Sequence, residues 1–145
     1  MTKSVLIVED DITFGMMLKT WLTKKGFLVF SASSVANAQK VIAAEKVDLI
    51  LSDLRLPDRD GIDLLKWLTA KETPVPLIIM TGYADIQSAV QAIKLGAKDY
   101  VAKPVNPDEL LKKMNEALES VEVKATPNQP ASSSTGTVKA ELAAG

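Results

Sequence analysis

Asp48–Gly61 has the sequence DLILSDLRLPDRDG, and this stretch decides the fold. It begins with a continuous apolar run, has an acid at position 53 directly after that run, and leads through the Asp60-Gly61 turn into a helical pattern. A short apolar run without alternation is typical of a parallel strand that helices cover on both faces. The stretch therefore predicts a buried strand that delivers Asp53 to one edge of a sheet.

Apolar runs and helical patterns alternate along most of the chain. Parallel strands that are joined by helices need right-handed crossovers. We therefore expect an α/β protein with the flavodoxin-like doubly wound (βα)5 fold, whose parallel five-stranded sheet has the order 2-1-3-4-5. That order puts the first, third and fourth strands at the centre, where their continuous apolar runs would be buried. The predicted strands are Ser4–Val8, Phe27–Ser31, Asp48–Ser52, Pro76–Met80 and Asp99–Val101.

Helix ends and helix faces are predicted as well. Asp85 is expected to be the N-cap of the fourth helix, and Gly26 is expected to end the first. The fifth helix has a strong start signal, with Asn106 at the N-cap and Pro107 at the first helical position. Two apolar faces are predicted from helical spacing: Phe14, Met17, Leu18, Trp21 and Leu22 in the first helix, and Ile86, Ala89, Val90 and Ile93 in the fourth.

The composition excludes several kinds of site. The length of 145 residues favours one domain, and the absence of cysteine and histidine rules out thiol catalysis, Ser-His-Asp triads and His/Cys metal sites. A formal net charge of −1 gives no indication of nucleic acid or a membrane surface as a partner. The apolar runs are too short for a membrane span or a signal peptide. We therefore expect a cytoplasmic protein that binds neither nucleic acid nor membrane.

The composition changes near the C-terminus. From about residue 123 onward the chain is rich in Ala, Ser, Thr, Pro and Gly and has few large apolar residues. This pattern is typical of a linker. We expect one domain over residues 1–122 and a linker over residues 123–145, in which a short helix near Val138–Ala144 is an alternative.

Four predicted strand ends bring reactive side chains to one edge. The first strand is followed by Glu9 and Asp10, the third by Asp53, the fourth by Thr81 and the fifth by Lys103. Ligands of open α/β sheets bind outside the carboxyl ends of the strands. Two carboxylates about 4 Å apart repel by about 4 kcal/mol at an effective dielectric constant of 20, so a cation is expected among them.

A hard divalent cation suits such oxygen ligands, and Mg²⁺ uses one or two carboxylates together with water and phosphate oxygens. Asp53 would then be a carboxylate nucleophile that forms an aspartyl phosphate. The metal and Lys103 would neutralise charge on the transferred phosphoryl group. The Thr81 hydroxyl can donate a hydrogen bond to a phosphate oxygen. These residues predict a phosphoryl-accepting site.

Four motifs, in order and spacing, resemble the response regulator receiver domains of the CheY-like superfamily. They are VLIVEDD, DLILSDLRLPDRDG, IIMTGYAD and GAKDYVAKPV, and the resemblance covers about residues 3–121. It implies that Asp53 is the phosphoacceptor of a sensor histidine kinase and that Glu9 and Asp10 are the acidic pair. Asp10 would bind Mg²⁺ more directly, Glu9 partly through water, and the backbone carbonyl of Arg55 would complete the metal shell.

The same resemblance implies a conformational switch. Thr81 and Tyr100 would be the switch pair, Lys103 would contact the phosphoryl group, and the Lys103-Pro104 bond would be cis. Activity would be limited to Mg²⁺-dependent self-phosphorylation from a donor and autodephosphorylation, so the domain would be a signalling module and not an enzyme. The sequence is similar to the receivers of NtrC-type transcription activators, which implies AAA+ and DNA-binding output domains and a homodimer modulated by phosphorylation.

Other interpretations stay open at this point. Asp11 is best explained as a helix cap, and Tyr100 can be a packing residue without a switch role. A haloacid dehalogenase-type phosphohydrolase would need a second acid two positions after the nucleophile, where this chain has Arg55. A flavodoxin-like cofactor binder would need a phosphate-binding loop after the first strand, where three acids stand instead. A stand-alone receiver that signals by docking remains a further alternative.

Overall fold

The computed structural model of the chain describes residues 2–72 and 75–125, with side chains up to residue 120. Strands and helices alternate strictly in this part. The five strands are β1 (Ser4–Val8), β2 (Leu28–Ala32), β3 (Leu49–Asp53), β4 (Leu77–Thr81) and β5 (Asp99–Ala102). The five α-helices are α1 (Ile12–Lys24), α2 (Val35–Ala44), α3 (Gly61–Ala70), α4 (Ile86–Lys94) and α5 (Pro107–Ala125), and a single 3₁₀ turn, Tyr83–Asp85, precedes α4.

The strands form one parallel sheet in the order β2-β1-β3-β4-β5, which confirms the predicted flavodoxin-like topology. Three strands lie one residue later than the apolar runs indicate. In particular, β3 includes Asp53 and β4 includes Thr81, because Asp53 is paired with Met80 and Thr81 with Ala102. Ladder pairing between neighbouring strands, and not the apolar run alone, sets where each strand ends.

The sheet separates two apolar layers, as the uninterrupted apolar runs of the central strands require. On one face, Leu18 and Leu22 of α1 and Leu110 and Met114 of α5 pack against the sheet. On the other face, α2, α3 and α4 pack against alternate residues of the same strands. Burial of this kind stabilises a fold by roughly 25 cal/mol per Å² of apolar surface removed from water. None of the helices in residues 2–72 and 75–125 is long and apolar enough to cross a membrane.

The helices predicted from the apolar spacing of α1 and α4 are present, but not every residue of these apolar faces is buried. Met17 is 61% exposed, and Val90 and Ile93 are 41% and 37% exposed. The stripe of α4 that contacts the sheet is Ala89 and Ala92, both fully buried. Helical periodicity identifies an apolar side of a helix, but the close approach permitted by small alanine side chains decides which residues of that side are buried.

The caps of the helices are mostly as predicted. Asp11 accepts a hydrogen bond from the Phe14 N–H at the start of α1, and Asn106 accepts one from the Glu109 N–H in α5. Gly26, with φ +99°, follows the last turn of α1. Asp85 lies at the predicted N-cap position of α4, but its side chain makes no capping hydrogen bond, because its carboxylate binds Arg55 instead.

The backbone of α5 continues to Ala125, three residues beyond the domain boundary expected from composition. The rest of the expected linker, including the alternative helix near Val138–Ala144, lies outside the described residues.

Candidate functional site

The carboxyl edge of the sheet brings four of the predicted residues together. Glu9 and Asp10 follow β1, Asp53 ends β3, and Lys103 follows β5. Because β1 and β3 are neighbours in the sheet, their carboxyl ends bring the acids of both strands to one point. Carboxylate oxygens of Glu9, Asp10 and Asp53 all lie within 4.8 Å of one another.

Lys103 is the cation that contacts this acidic cluster. Its Nζ lies 2.7 Å from Glu9 Oε1 and 3.2 Å from Asp53 Oδ2. It also lies 4.8 Å from the centre of the Phe14 ring, which is within cation–π range. Burial opposes the ammonium form, but hydrogen bonding and attraction from Glu9 and Asp53 raise the pKa of Lys103 above its usual value. Lys103 is therefore held in its charged form directly beside Asp53.

Glu9 and Asp10 have different surroundings although they are consecutive. The side chain of Glu9 is 1% exposed, whereas Asp10 is exposed. Glu9 Oε2 accepts a hydrogen bond of 3.0 Å from the Asp11 N–H. Burial raises the pKa of Glu9, while the hydrogen bonds from Lys103 and Asp11 act in the opposite direction. Glu9 is thus a desolvated carboxylate that needs positive charge nearby, and Asp10 is open to ligands from solvent.

The charges of the cluster favour a bound cation. Glu9, Asp10 and Asp53 contribute three carboxylates, and Lys103 contributes one ammonium group in contact with two of them. The remaining negative charge is concentrated on hard oxygen donors, part of which face solvent. Such a set suits a divalent cation such as Mg²⁺ better than a soft metal, so the cluster could hold a metal ion.

Asp53 is fixed by the loop between β3 and α3. The Arg55 N–H lies 3.4 Å from Asp53 Oδ1. At the far end of the loop, Gly61 packs so closely against β3 that a Cβ there would lie 2.6 Å from the backbone oxygen of Asp53. The sequence indicated a turn at Gly61, but not that glycine is required by this contact with the backbone of the reactive residue.

Arg55 links this loop to the segment before α4. Its Nη2 lies 2.9 Å from Asp85 Oδ1, and its Nη1 lies 3.6 Å from Asp60 Oδ2. The hydrogen bond from Arg55 lowers the pKa of Asp85, and the same interaction raises that of Arg55. The sequence predicted a role for the Arg55 backbone only, since a side-chain partner 30 positions away leaves no local signal.

Thr81 and Tyr100 occupy neighbouring strands. Thr81 is 1% exposed, and its hydroxyl donates a 3.2 Å hydrogen bond to the carbonyl of Gly82. Its carbonyl accepts the Lys103 N–H at 2.8 Å. Tyr100 is half-buried against the core, and Lys113 Nζ donates to its carbonyl and lies 5.3 Å from its ring centre. The peptide bond between Lys103 and Pro104 is cis.

Comparisons with known proteins agree with this geometry. The family described as "Response regulator receiver domain" matches residues 5–115. The chain is 41% identical over 106 residues to "Regulatory protein AtoC" of Escherichia coli (strain K12), covering 73% of this chain and 23% of that protein. It is 34% identical over 125 residues to "DNA-binding transcriptional regulator NtrC" of Proteus hauseri, covering 86% and 26%. The chain thus spans about a quarter of the length of these relatives.

Solved structures give the same result. The crystal structure of a response regulator receiver domain protein from Clostridium thermocellum superposes with a TM-score of 0.79 at 29% identity and covers 84% of this chain and 98% of that one. Because the family match extends over most of the chain, and because the sheet order and the acidic edge agree with it, this chain belongs to the response regulator receiver domain family and is a signalling domain of two-component systems.

Proposed function

We propose that Asp53 is the phosphoacceptor of this receiver domain and takes its phosphoryl group from a sensor histidine kinase. One observation carries the proposal: the Asp53 carboxylate is the point at which the acidic cluster and Lys103 meet at the carboxyl edge of the sheet. The carboxylate is 14% exposed, so it is accessible to a donor while its position is fixed. An ordinary surface acid would lack both the cation beside it and the acids opposite it.

Each residue of the proposed site has a separate role in the phosphoryl transfer. One Asp53 oxygen forms the new P–O bond while the bond from phosphorus to the donor imidazole nitrogen breaks, and the nitrogen keeps the electron pair. Lys103 offsets negative charge on the phosphoryl oxygens, since its Nζ already lies within contact distance of Asp53. Glu9, Asp10 and Asp53, with the Arg55 carbonyl, would hold Mg²⁺, which supplies further charge neutralisation at the phosphoryl group.

Thr81 and Tyr100 form the proposed switch. Among the residues that the structure describes, the Thr81 hydroxyl donates to the adjacent Gly82 carbonyl alone, at a long 3.2 Å, so a phosphoryl oxygen can compete for it. Movement of Thr81 would free space for the Tyr100 ring and alter the surface formed by α4, β5 and α5. Val90 and Ile93 are already exposed on that surface, which supports its use in phosphorylation-modulated dimerisation.

The proposed context is transcriptional regulation of the NtrC type. Residues 1–122 would be the receiver and residues 123–145 a linker to AAA+ and DNA-binding output domains, in a cytoplasmic chain. The resemblance to NtrC-type activators and the identity to AtoC and NtrC support this assignment. The only chemistry of the domain itself would be self-phosphorylation and autodephosphorylation.

Labelling with acetyl phosphate and Mg²⁺ tests the phosphoacceptor. Intact mass spectrometry should show one added phosphoryl group on the wild type and none on Asp53→Asn. Asp48→Asn is the matched control, because Asp48 precedes the other end of the same strand and should leave labelling intact. Labelling of Asp53→Asn at the wild-type level would refute the assignment.

A further inference from the structure

Besides the pairing of Arg55 with Asp85 before α4, two sets of contacts hold the loop that follows Asp53. The first set closes the loop on itself: the Gly61 N–H donates to the Leu54 carbonyl at 2.8 Å, and Arg55 is paired with Asp60. These bonds fix the shape of the loop at its base. They do not fix how its middle, around Pro57 and Asp58, is oriented relative to the rest of the domain.

The second set ties the middle of the loop to α2. Asp58 Oδ1 accepts the Val35 N–H at 2.9 Å, and Asp58 Oδ2 accepts the Ala36 N–H at 3.0 Å. Asp58 Oδ1 also accepts the Arg59 N–H at 3.0 Å. The first N–H groups of a helix have no partner within the helix and carry partial positive charge. The Asp58 carboxylate therefore accepts hydrogen bonds from two N–H groups that have no partner within α2. Asp58 lies more than 20 positions along the chain from both of them.

The ionisation of Asp58 agrees with this geometry. Hydrogen bonds from the backbone N–H groups of Ala36 and Val35 lower the pKa of Asp58, against a smaller opposing effect of burial. The contact with the start of α2 therefore favours the ionised carboxylate of Asp58. Asp58 also differs from the cap that α2 already has, because Ser34 accepts the Asn37 N–H at 3.1 Å from the adjacent position.

We propose that Asp58 is a positioning residue for the acidic cluster: by fastening the β3–α3 loop to the start of α2, it holds the Arg55 segment against Asp53. Arg55 lies between the fixed end of β3 and the Asp58 contact, three residues from the latter, so its backbone has little freedom while both ends are held. The role rests on the proposed function, in which the Arg55 carbonyl is a metal ligand. Supports of this kind act by preorganising ligands.

Ser34 and Asp58 allow the stability of α2 to be separated from the position of the loop. Ser34→Ala removes a cap of α2 and leaves the loop contact in place, whereas Asp58→Ala removes the loop contact and leaves the Ser34 cap in place. Both variants should unfold at lower urea concentration than the wild type. Only Asp58→Ala should change the loop, which hydrogen exchange of the Leu54–Asp60 amides can report directly.

Binding of Mg²⁺ alone, measured by calorimetry on the unphosphorylated chain, is the deciding readout. We expect Asp58→Ala to weaken Mg²⁺ binding by about threefold to tenfold, at or below the lower end of the effect of outer-shell partners. Asp58→Asn should recover part of the affinity, since its amide oxygen still accepts an N–H but carries no charge. Labelling of Asp58→Ala by acetyl phosphate should return to the wild-type rate at saturating Mg²⁺.

The outcomes separate this proposal from the proposed function. If the wild type binds Mg²⁺ and Asp58→Ala binds it equally well, Asp58 is only a cap and the positioning role is wrong. The same conclusion follows if Ser34→Ala weakens Mg²⁺ binding as much as Asp58→Ala. If the wild type binds no Mg²⁺ and is not labelled, the proposed function fails, and the positioning role fails with it.

Discussion

The two edges of the sheet contain acids of opposite character. At the amino edge, Asp48 Oδ2 accepts a hydrogen bond from the Ser4 N–H at 2.8 Å and lies 3.2 Å from the Ser4 hydroxyl oxygen. The Ser4 hydroxyl lies 2.6 Å from the Lys46 carbonyl, and the Asp48 N–H donates to the Ser4 carbonyl. The Asp48 carboxylate, just before β3, thus has its hydrogen-bond donor on the neighbouring strand β1.

At the carboxyl edge the same two strands end in a cluster with more acids than cations. Glu9 is buried beside Asp53, and Lys103 is the ammonium group that contacts both. At this edge the carboxylates repel one another. At the amino edge, by contrast, the carboxylate of Asp48 has a hydrogen-bond donor as its partner. The comparison indicates that the acid at the amino edge stabilises the fold, whereas the acids at the carboxyl edge are held together at a cost in stability, which fits the proposed site for a cation and a phosphoryl group.

The largest effect should follow from removing the cation of the carboxyl edge. Lys103→Met is expected to slow labelling by acetyl phosphate by about 10²–10³-fold, as for the loss of one charge-stabilising donor. Lys112→Met, which removes an exposed lysine of α5, is the control and should label normally. Rapid-quench labelling at saturating Mg²⁺ measures both rates. A rate for Lys103→Met close to that of the control would mean that Lys103 serves structure only.

An intermediate effect is expected at the amino edge, on stability alone. Asp48→Ala removes the acceptor of the Ser4 N–H and should lower the free energy of unfolding by about 1.5–3 kcal/mol, typical of a hydrogen bond to a charged group. Urea denaturation measures the loss, and calorimetry should find the Mg²⁺ affinity unchanged. A large change in Mg²⁺ affinity would contradict the division of roles between the two edges.

The smallest effect, of opposite sign, should come from Glu9→Gln in metal-free buffer. Because burial raises the pKa of Glu9, the folded state binds the carboxyl proton of Glu9 more tightly than the unfolded state does. The contribution of Glu9 to the stability of the wild type is therefore fullest below the usual glutamate pKa and is lost as the pH rises through the raised value. Glu9→Gln should lose this decline and gain about 0.5–2 kcal/mol at neutral pH.

Urea denaturation across pH, with and without Mg²⁺, tests the Glu9 prediction. Added Mg²⁺ should stabilise the wild type and have a weaker effect on Glu9→Gln, because a cation bound only to the folded state shifts the unfolding equilibrium. A Glu9→Gln variant that is less stable than the wild type at neutral pH without metal would show that the carboxyl edge is not under electrostatic strain.

The sequence alone determined the features that depend on near neighbours. Continuous apolar runs predicted which strands are central, and side-chain caps predicted the starts of α1 and α5 correctly. The position of Asp53 at a strand end also followed from the run before it. In each case the physical cause acts over a few residues along the chain, so the pattern is visible without a structure.

Tertiary structure alone decided the features that depend on distant partners. Glu9 is buried and bound to Lys103, 94 positions away, while Asp10 beside it is exposed. Asp85 pairs with Arg55 instead of capping α4, and Asp58 binds the start of α2. A side chain chooses among possible partners by which of them the folded loops bring within hydrogen-bond distance, and that distance is a property of the packed domain and not of the local sequence.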